Sequence, residues 1–267
     1  MSKLADKFHS LHKQADLLIL PNAWDAASAR IIEAAGAKAI ATTSAGVSWA
    51  LGFADGDELP PKMLAEVAAR ITNVIKIPLT VDFEGGYTKN PARIGETLKP
   101  ILQAGAVGIN IEDGEDKPAL LAKKIESARK AAERARVNLF INARTDVYLA
   151  EIGRPERRVD EVIERAALYR AAGASGLFVP ALTEPQVIKT IASAIKMPLN
   201  VMARPNLPKG KELKKLGVSR LSAGSSISQA IWSQTSEFAK KFLATGDSGV
   251  FGKNGLGYAQ LQSLFTP

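Results

Sequence analysis

The chain has 267 residues, 46% of them hydrophobic, no cysteine and a formal net charge of +8. That length allows one sizeable core, and the absence of cysteine excludes disulfides, thiolate metal sites and cysteine catalysis. No apolar run approaches the roughly 18 residues of a membrane span, and aromatic residues, at 6%, are too few and too separate from the basic ones to suggest nucleic-acid binding.

The first sixteen residues are polar, with Leu4, Phe8 and Leu11 at helical spacing and no signal-type apolar region, so a surface helix carrying His9 and His12 is expected on a cytoplasmic chain. From there short apolar runs alternate with longer stretches of helical period. The predicted strands are Leu17–Leu20, Ala39–Thr43, Leu79–Phe83, Gly108–Glu112, Leu139–Ala143, Gly176–Pro180, Leu199–Ala203 and Arg220–Ala223. The predicted helices follow them in turn: Asp25–Ala35, Pro61–Ile75, Pro91–Ala104, Pro118–Arg134, Glu156–Ala172, Pro185–Ile195, Lys209–Leu216 and Ser226–Leu243. Asp25 is a candidate N-cap, and Gly36, Gly105, Gly173 and Gly217 sit where left-handed helix ends are expected. Lys123, Lys124, Arg129, Lys130 and Arg134 fall on a helix face expected to be solvated, leaving the positive balance to solvation and the attraction of anionic substrates.

Eight strand–helix units in one chain favour an α/β fold of the (β/α)8 barrel type over an open sheet. Internal echoes agree: KIPLTV at 76–81 resembles KMPLNV at 196–201, and AGAVGINI at 104–111 resembles AGASGLFV at 172–179. The reading is of one domain over residues 1–267, with 245–267 as a Gly-rich, flexible tail ending in a short helix, Tyr258–Phe265.

A barrel of this kind places its site at the C-terminal ends of the strands, and polar residues collect there. Asp82 and Glu84 are two apart and expected on one side of a strand, and Glu112 comes from the next strand. Three carboxylates in a confined volume repel unless a cation compensates; oxygen ligands alone suit Mg2+ or Mn2+. Ordinary salt bridges to Arg or Lys are the alternative. Arg144 could grip a substrate carboxylate or neutralise the acids. Ser44-Ala45-Gly46 offers a hydroxyl and two amides in a tight loop as an anion cradle, Asn200 lies on a further strand, and Gly224-Ser225-Ser226 is a phosphate site or a plain N-cap. No lysine ends a strand to form a Schiff base, and no dinucleotide fingerprint follows one.

With these residues the chain resembles the isocitrate lyase/phosphoenolpyruvate mutase superfamily, through PNAWDAASARIIEAAGA, TTSAGVSWALGFADG, VDFEGGY, GAVGINIEDG and NARTDVYL. The resemblance implies a homo-oligomer, a tetramer or dimer of dimers, whose last barrel helix is exchanged between subunits. It implies Mg2+ held directly by Asp82 and through waters by Glu84 and Glu112, with Asp55 close to the metal as a catalytic residue. Ser44, the amides of Ala45 and Gly46, and Arg144 would hold a pyruvate-like 2-oxo acid while a bond beside its carbonyl breaks and an enolate forms.

This chain departs from the pattern after Glu112-Asp113. It lacks the cysteine-bearing lid of the superfamily's lyases, and Gly114-Glu115-Asp116-Lys117-Pro118 replaces the longer lid of its mutases, with Lys117 a loose substitute for the mutases' lysine. Three functions follow in order: a magnesium-dependent lyase cleaving a C–C bond, as for 2-methylisocitrate-like or oxaloacetate-like substrates; a mutase or hydrolase of P–C bonds in phosphoenolpyruvate or phosphonopyruvate; and a non-catalytic binder of 2-oxo acids. No nucleic-acid or membrane partner is expected.

Overall fold

The computed structural model describes residues 2–251 and 255–266. Helix α1 (Ser2–Leu11) precedes strands β1 (Leu18–Leu20) and β2 (Asn22–Ala23). The chain continues through α2 (Ala26–Ala34), β3 (Ile40–Thr42), α3 (Ser44–Ala50), α4 (Pro61–Val74), β4 (Leu79–Asp82), α5 (Ile94–Gln103) and β5 (Gly108–Glu112). Then come α6 (Pro118–Arg134), β6 (Phe140–Arg144), α7 (Arg158–Ala171), β7 (Gly176–Val179), α8 (Pro185–Ala194) and β8 (Leu199–Met202). The last elements are α9 (Gly210–Lys215), β9 (Val218–Ser222), α10 (Ser226–Thr245) and α11 (Tyr258–Phe265).

All strand pairs are parallel, and the order runs β1-β9-β8-β7-β6-β5-β4-β3-β2, so the two ends of the series are β1 and β2. Only Pro21 separates them. A proline cannot donate to the ladder, so the predicted first strand splits: β1 pairs with β9 and β2 with β3. The Asn22 side chain stitches the gap, donating to Thr42 O at 2.7 Å and accepting from the amides of Ala223 and Gly224 at 2.8 and 3.0 Å. The result is the expected barrel, closed through a divided first strand.

The helices form where their signals predicted. Asp25 caps α2 in a reciprocal box with Ser28, its carboxylate accepting from Ser28 N at 2.7 Å. Gly36, Gly105, Gly173 and Gly217 all have φ between +93° and +104°, the left-handed conformation that ends these helices. The main core lies between the helices and the outer face of the strands, with Ile40, Val81, Ile109, Ile141 and Val201 all fully buried.

A second apolar cluster fills the base of the barrel, where α1 inserts Phe8 beside Phe140, Leu18 and Leu20. Gly108 has no side chain because Phe8 Cε1 and Thr80 Oγ1 lie 2.7 and 2.8 Å from where a Cβ would stand. His12, expected on the surface, is buried instead: its ring stacks on Phe140 with centroids 3.9 Å apart. Burial holds this imidazole down at about 3, so it is neutral, and its Nδ1 donates to Phe8 O at 2.8 Å.

Two of the cations expected on a solvated face are also drawn inward. Lys124 is buried and donates to Gly85 O at 2.6 Å, and Arg129 donates to Leu139 O and Gly173 O at 2.7 Å each. At the C-terminal end α11 docks on α2, where Arg30 Nε donates to Leu264 O at 2.8 Å. The tail expected to be flexible, 245–257, contains a short 3-10 turn at Ser248–Phe251; its residues 252–254 lie outside the described residues. Among the described residues no helix is long and apolar enough to cross a membrane.

Candidate active site

The C-terminal ends of β3 to β6 open on one mouth, where Ser44, Asp82, Glu112 and Arg144 of the residues singled out from the sequence gather. Asp82 ends β4. Its amide donates to Thr42 Oγ1 at 2.8 Å, and its carboxylate accepts from Ser44 N at 3.2 Å and from Asn110 Nδ2 at 3.4 Å. Ser44, Ala45 and Gly46 are not the tight loop expected; they form the first turn of α3. Their amides therefore face the mouth as unsatisfied helix donors, and one of them already holds Asp82. Gly46 is required by packing, since a Cβ there would meet Thr43 Cγ2 at 2.6 Å and Trp24 Cβ at 2.9 Å.

Glu84 does not share a strand face with Asp82. The strand ends at Asp82, and Glu84 takes φ +47°, which turns its side chain toward the neighbouring loop. There it accepts from the amides of Gly56 and Asp57 at 2.8 and 2.5 Å and from the hydroxyl of Tyr87. Asp57 returns the interaction, accepting from the amides of Gly85 and Tyr87 at 3.1 Å each. Two carboxylates thus clasp each other's backbone and fasten the loop that carries Asp55. Asp55 stands near Ser44 and Asp82; burial first, and the nearby Asp82 charge, push its carboxyl up.

Glu112 and Arg144 are opposite each other on β5 and β6. They form an ion pair at 2.7 Å, while Asp146 grips the same guanidinium at 2.6 and 2.8 Å. Phe178 lies 5.9 Å from the guanidinium carbon. Arg144 therefore partly neutralises the acidic cluster, and some of its N–H bonds are left unused by these two acids. Burial raises the Glu112 carboxyl to about 8 against the pull of Arg144, with Asp82, Asp146 and Glu84 adding to the rise.

Asn200 does not line the mouth. It sits inside the barrel, accepting from Asn142 Nδ2 at 3.1 Å and donating to Val201 O at 2.7 Å. Ser225 makes no cap hydrogen bond to α10; its hydroxyl accepts from Gln229 Nε2 at 2.8 Å. Sequence reasoning missed Asp57, Asp146, Asp113, Arg165 and Tyr169. The last three form a buried set in which the Asp113 carboxylate accepts from Arg165 at 2.8 Å and Tyr169 at 2.5 Å, and from the Asp146 amide at 2.9 Å. That set fixes the turn that aims Asp146 at Arg144. The signal for Asp146 was its place two residues after Arg144; nothing in the pattern pointed to a partner on α7.

Among the described residues no three acidic or histidine side chains stand ready-arranged around an ion. Each expected ligand has a protein partner instead. The donors nevertheless suit a hard divalent cation: Asp82 adds to the raised carboxyl pKa values of Asp55, Glu84 and Glu112. Asp82, Glu112 and Asp146 around Arg144, with Asp55 and Glu84 beside them, crowd negative charge in a way that such an ion would relieve. A cleft of about 530 Å³ beside them is lined by Gly56, Asp57, Glu84, Lys89, Glu112 and Asp116.

Known proteins share both sequence and shape with this chain. The phosphoenolpyruvate phosphomutase family matches residues 8–243. An uncharacterized protein of Mycobacterium tuberculosis is 36% identical over 82% of this chain and 81% of its own length. A 2-methylisocitrate lyase of Aeropyrum pernix is 29% identical over 71% of this chain and 62% of its own. A crystal structure from Burkholderia cenocepacia, provisionally assigned as a phosphonomutase, superposes with a TM-score of 0.85 at 40% identity, covering 90% of this chain and all of that one.

Proposed function

The chain belongs to the phosphoenolpyruvate phosphomutase family, and on that premise we propose that it is a magnesium-dependent lyase cleaving a C–C bond beside the carbonyl of a small 2-oxo acid or its 2-hydroxy carboxylate adduct. The observation that carries this reading is the meeting of Asp55, Asp82 and Glu112 with Arg144 and the first turn of α3 at one barrel mouth. Asp82 and Glu112 would hold the ion, with Glu84 and Asp55 around it; Mn2+ would suit the same oxygens. When bound, the ion supplies Lewis-acid stabilisation of a developing enolate oxygen.

The protein's own groups do the rest. The α3 amides of Ala45 and Gly46 and the Ser44 hydroxyl receive the anionic end of the substrate. Arg144, kept charged and oriented by Asp146 and Glu112, presents its remaining N–H bonds to the carboxylate. Asp55, its carboxyl raised by burial, would hold a proton near Ser44. The 113–117 turn is too short to close over the mouth as a lid, which favours a substrate needing no donor from that side.

The likeness to a protein assigned as a phosphonomutase supports a second reading, P–C bond chemistry on phosphonopyruvate or phosphoenolpyruvate. A substrate panel with and without EDTA separates the two. Glyoxylate or pyruvate release that EDTA abolishes supports the lyase, phosphate release supports the second reading, and binding of 2-oxo acids without turnover of any candidate leaves only a binding protein.

We also assign α10 as a contact for a second copy of the chain. Of its 20 residues only Ser228 is buried, while Ile231, Phe242 and Leu243 are exposed. A dimer or tetramer by light scattering, reduced by Ile231→Asp, is the expected result; a monomer would overturn it.

A further inference from the structure

Arg220 lies on β9 two residues before the strand's end, and its side chain is 1% exposed. It does not point outward to the helices. Its Nη2 reaches Asn110 Oδ1 at 3.4 Å, on β5, four places round the barrel. Its Nε and Nη1 have no hydrogen-bond partner, and among the described residues it forms no ion pair with any acid. A buried guanidinium without a carboxylate is costly and needs a compensating role.

The middle of the barrel shows where that charge is felt. Asn110 Oδ1 also accepts from Asn142 Nδ2 at 2.9 Å, and Asn110 Nδ2 donates to Asp82 Oδ1 at 3.4 Å. Asp82 is thus two hydrogen bonds from Arg220, with the Asn110 amide oriented between them. Below, the base is closed by the apolar set of Phe8, Leu18, Leu20 and Phe140. On that side the neutral His12 ring also feels the guanidinium, and the one acid that does so is Asp82, toward the mouth.

We propose that Arg220 is the fixed counter-charge of the site, set two hydrogen bonds from Asp82 by the Asn110 amide and favouring anionic ligands in the mouth above. This rests on the reading of the mouth as a site for a metal and an oxo acid. A positive charge there has opposite effects on the two ligands. It draws the anion, and it opposes a bare divalent cation. A side chain that only filled space would shift both affinities in the same direction or neither.

Calorimetric titration of the full chain with magnesium chloride alone, then with oxalate at saturating magnesium, reads the two effects separately. Oxalate serves as a planar dianion shaped like the pyruvate enolate. In Arg220→Met and Arg220→Gln, oxalate binding is expected to weaken about tenfold, the effect of a unit charge at this kind of remove. Magnesium binding alone is expected to be unchanged or several-fold tighter. Arg220→Lys retains the charge and is expected to stay within about threefold of the wild type for both.

Both ligands weakening together in the neutral variants, or neither changing, would overturn the proposal. Should Arg220→Met fail to fold, Arg220→Gln against Arg220→Lys decides it. Wild-type protein that binds magnesium but not oxalate would overturn the oxo-acid reading alone; tighter magnesium binding in Arg220→Met and Arg220→Gln would then uphold the counter-charge, and unchanged or weaker binding would overturn it. Wild-type protein that binds neither would overturn both.

Discussion

At the base of the barrel, Phe8, His12 and Phe140 stack in one aromatic knot, with ring centroids 3.9 to 5.4 Å apart and no charge. At the mouth, where β6 has run on from Phe140 to Arg144, Asp82, Glu112 and Arg144 crowd together with their charges only partly matched. The base is packed to hold the barrel closed. The mouth keeps electrostatic stress that a cation and an anion can relieve. A fold can afford such stress at one end because the other end is closed by packing, and the polar layer of Asn110, Asn142, Asn200 and Arg220 keeps the two apart.

The sharpest way to break this division is at Asp82. Asp82→Ala is expected to lower magnesium binding and turnover by about a thousandfold or more, since both depend on the group that anchors the site. The melting temperature should hold or rise, because removing one of several mutually repelling acids relieves strain in the folded state. Unchanged magnesium affinity would remove Asp82 from the site. A collapse of the fold would show that the mouth also carries structural stability.

The converse substitution is at the base. Phe8→Ala leaves a cavity between α1, Thr80 and Gly108, and Phe→Ala truncations of this kind cost about 3–5 kcal/mol. Urea denaturation should show that loss, while magnesium affinity measured well below the transition stays within about twofold. A base variant that altered metal binding strongly would mean that the polar middle layer transmits base packing to the mouth.

The elements of the barrel were largely legible in the sequence because they rest on local signals. Pro118–Arg134 appears as predicted, and the Gly ends of α2, α5, α7 and α9 are set by φ, which glycine alone adopts cheaply. What could not be read depends on contacts between distant segments. The pattern placed His12 and Lys124 on solvated faces, yet Phe140 and Gly85 O, more than 30 residues away in the chain, bury them. Glu84 has strand spacing from Asp82, but the two glycines that follow allow a turn that sends it to the amides of Gly56 and Asp57. The residues of the candidate site could thus be singled out in the sequence, and the clasp between Glu84 and the Asp57 loop could not.

Protonation gives a third and smaller test. In the folded chain the Glu112 carboxyl is raised to about 8, chiefly by burial, whereas in the unfolded chain it titrates near its ordinary value of about 4.3. Between those values the folded chain binds the extra proton, so this contribution to stability is fully present at low pH and is lost as pH rises through about 8. Magnesium must displace the same proton. Its affinity should therefore rise with pH by up to about tenfold per unit between 6 and 8, then level off. The slope should vanish in Glu112→Gln. Persistence there would transfer the linkage to Asp55 or Glu84, whose carboxyls are also raised.

The smallest expected effect comes from Tyr87, and it shows how far the clasp and the metal compete. Its hydroxyl donates to Glu84, whose other carboxylate oxygen already accepts from Gly56 and Asp57. Tyr87→Phe removes that one donor and keeps the ring against Phe83. Stability of the metal-free protein should fall by about 1 kcal/mol, the usual net worth of such a bond. Magnesium should nonetheless bind a few-fold more tightly, because Glu84 gives up one fewer partner in turning toward the ion. If Glu84 acts only as a strap for the Asp55 loop, the variant instead loosens that loop, and magnesium affinity falls along with stability. The sign of the change in magnesium affinity, more than its size, therefore decides whether Glu84 belongs to the charged mouth or to the scaffold that supports it.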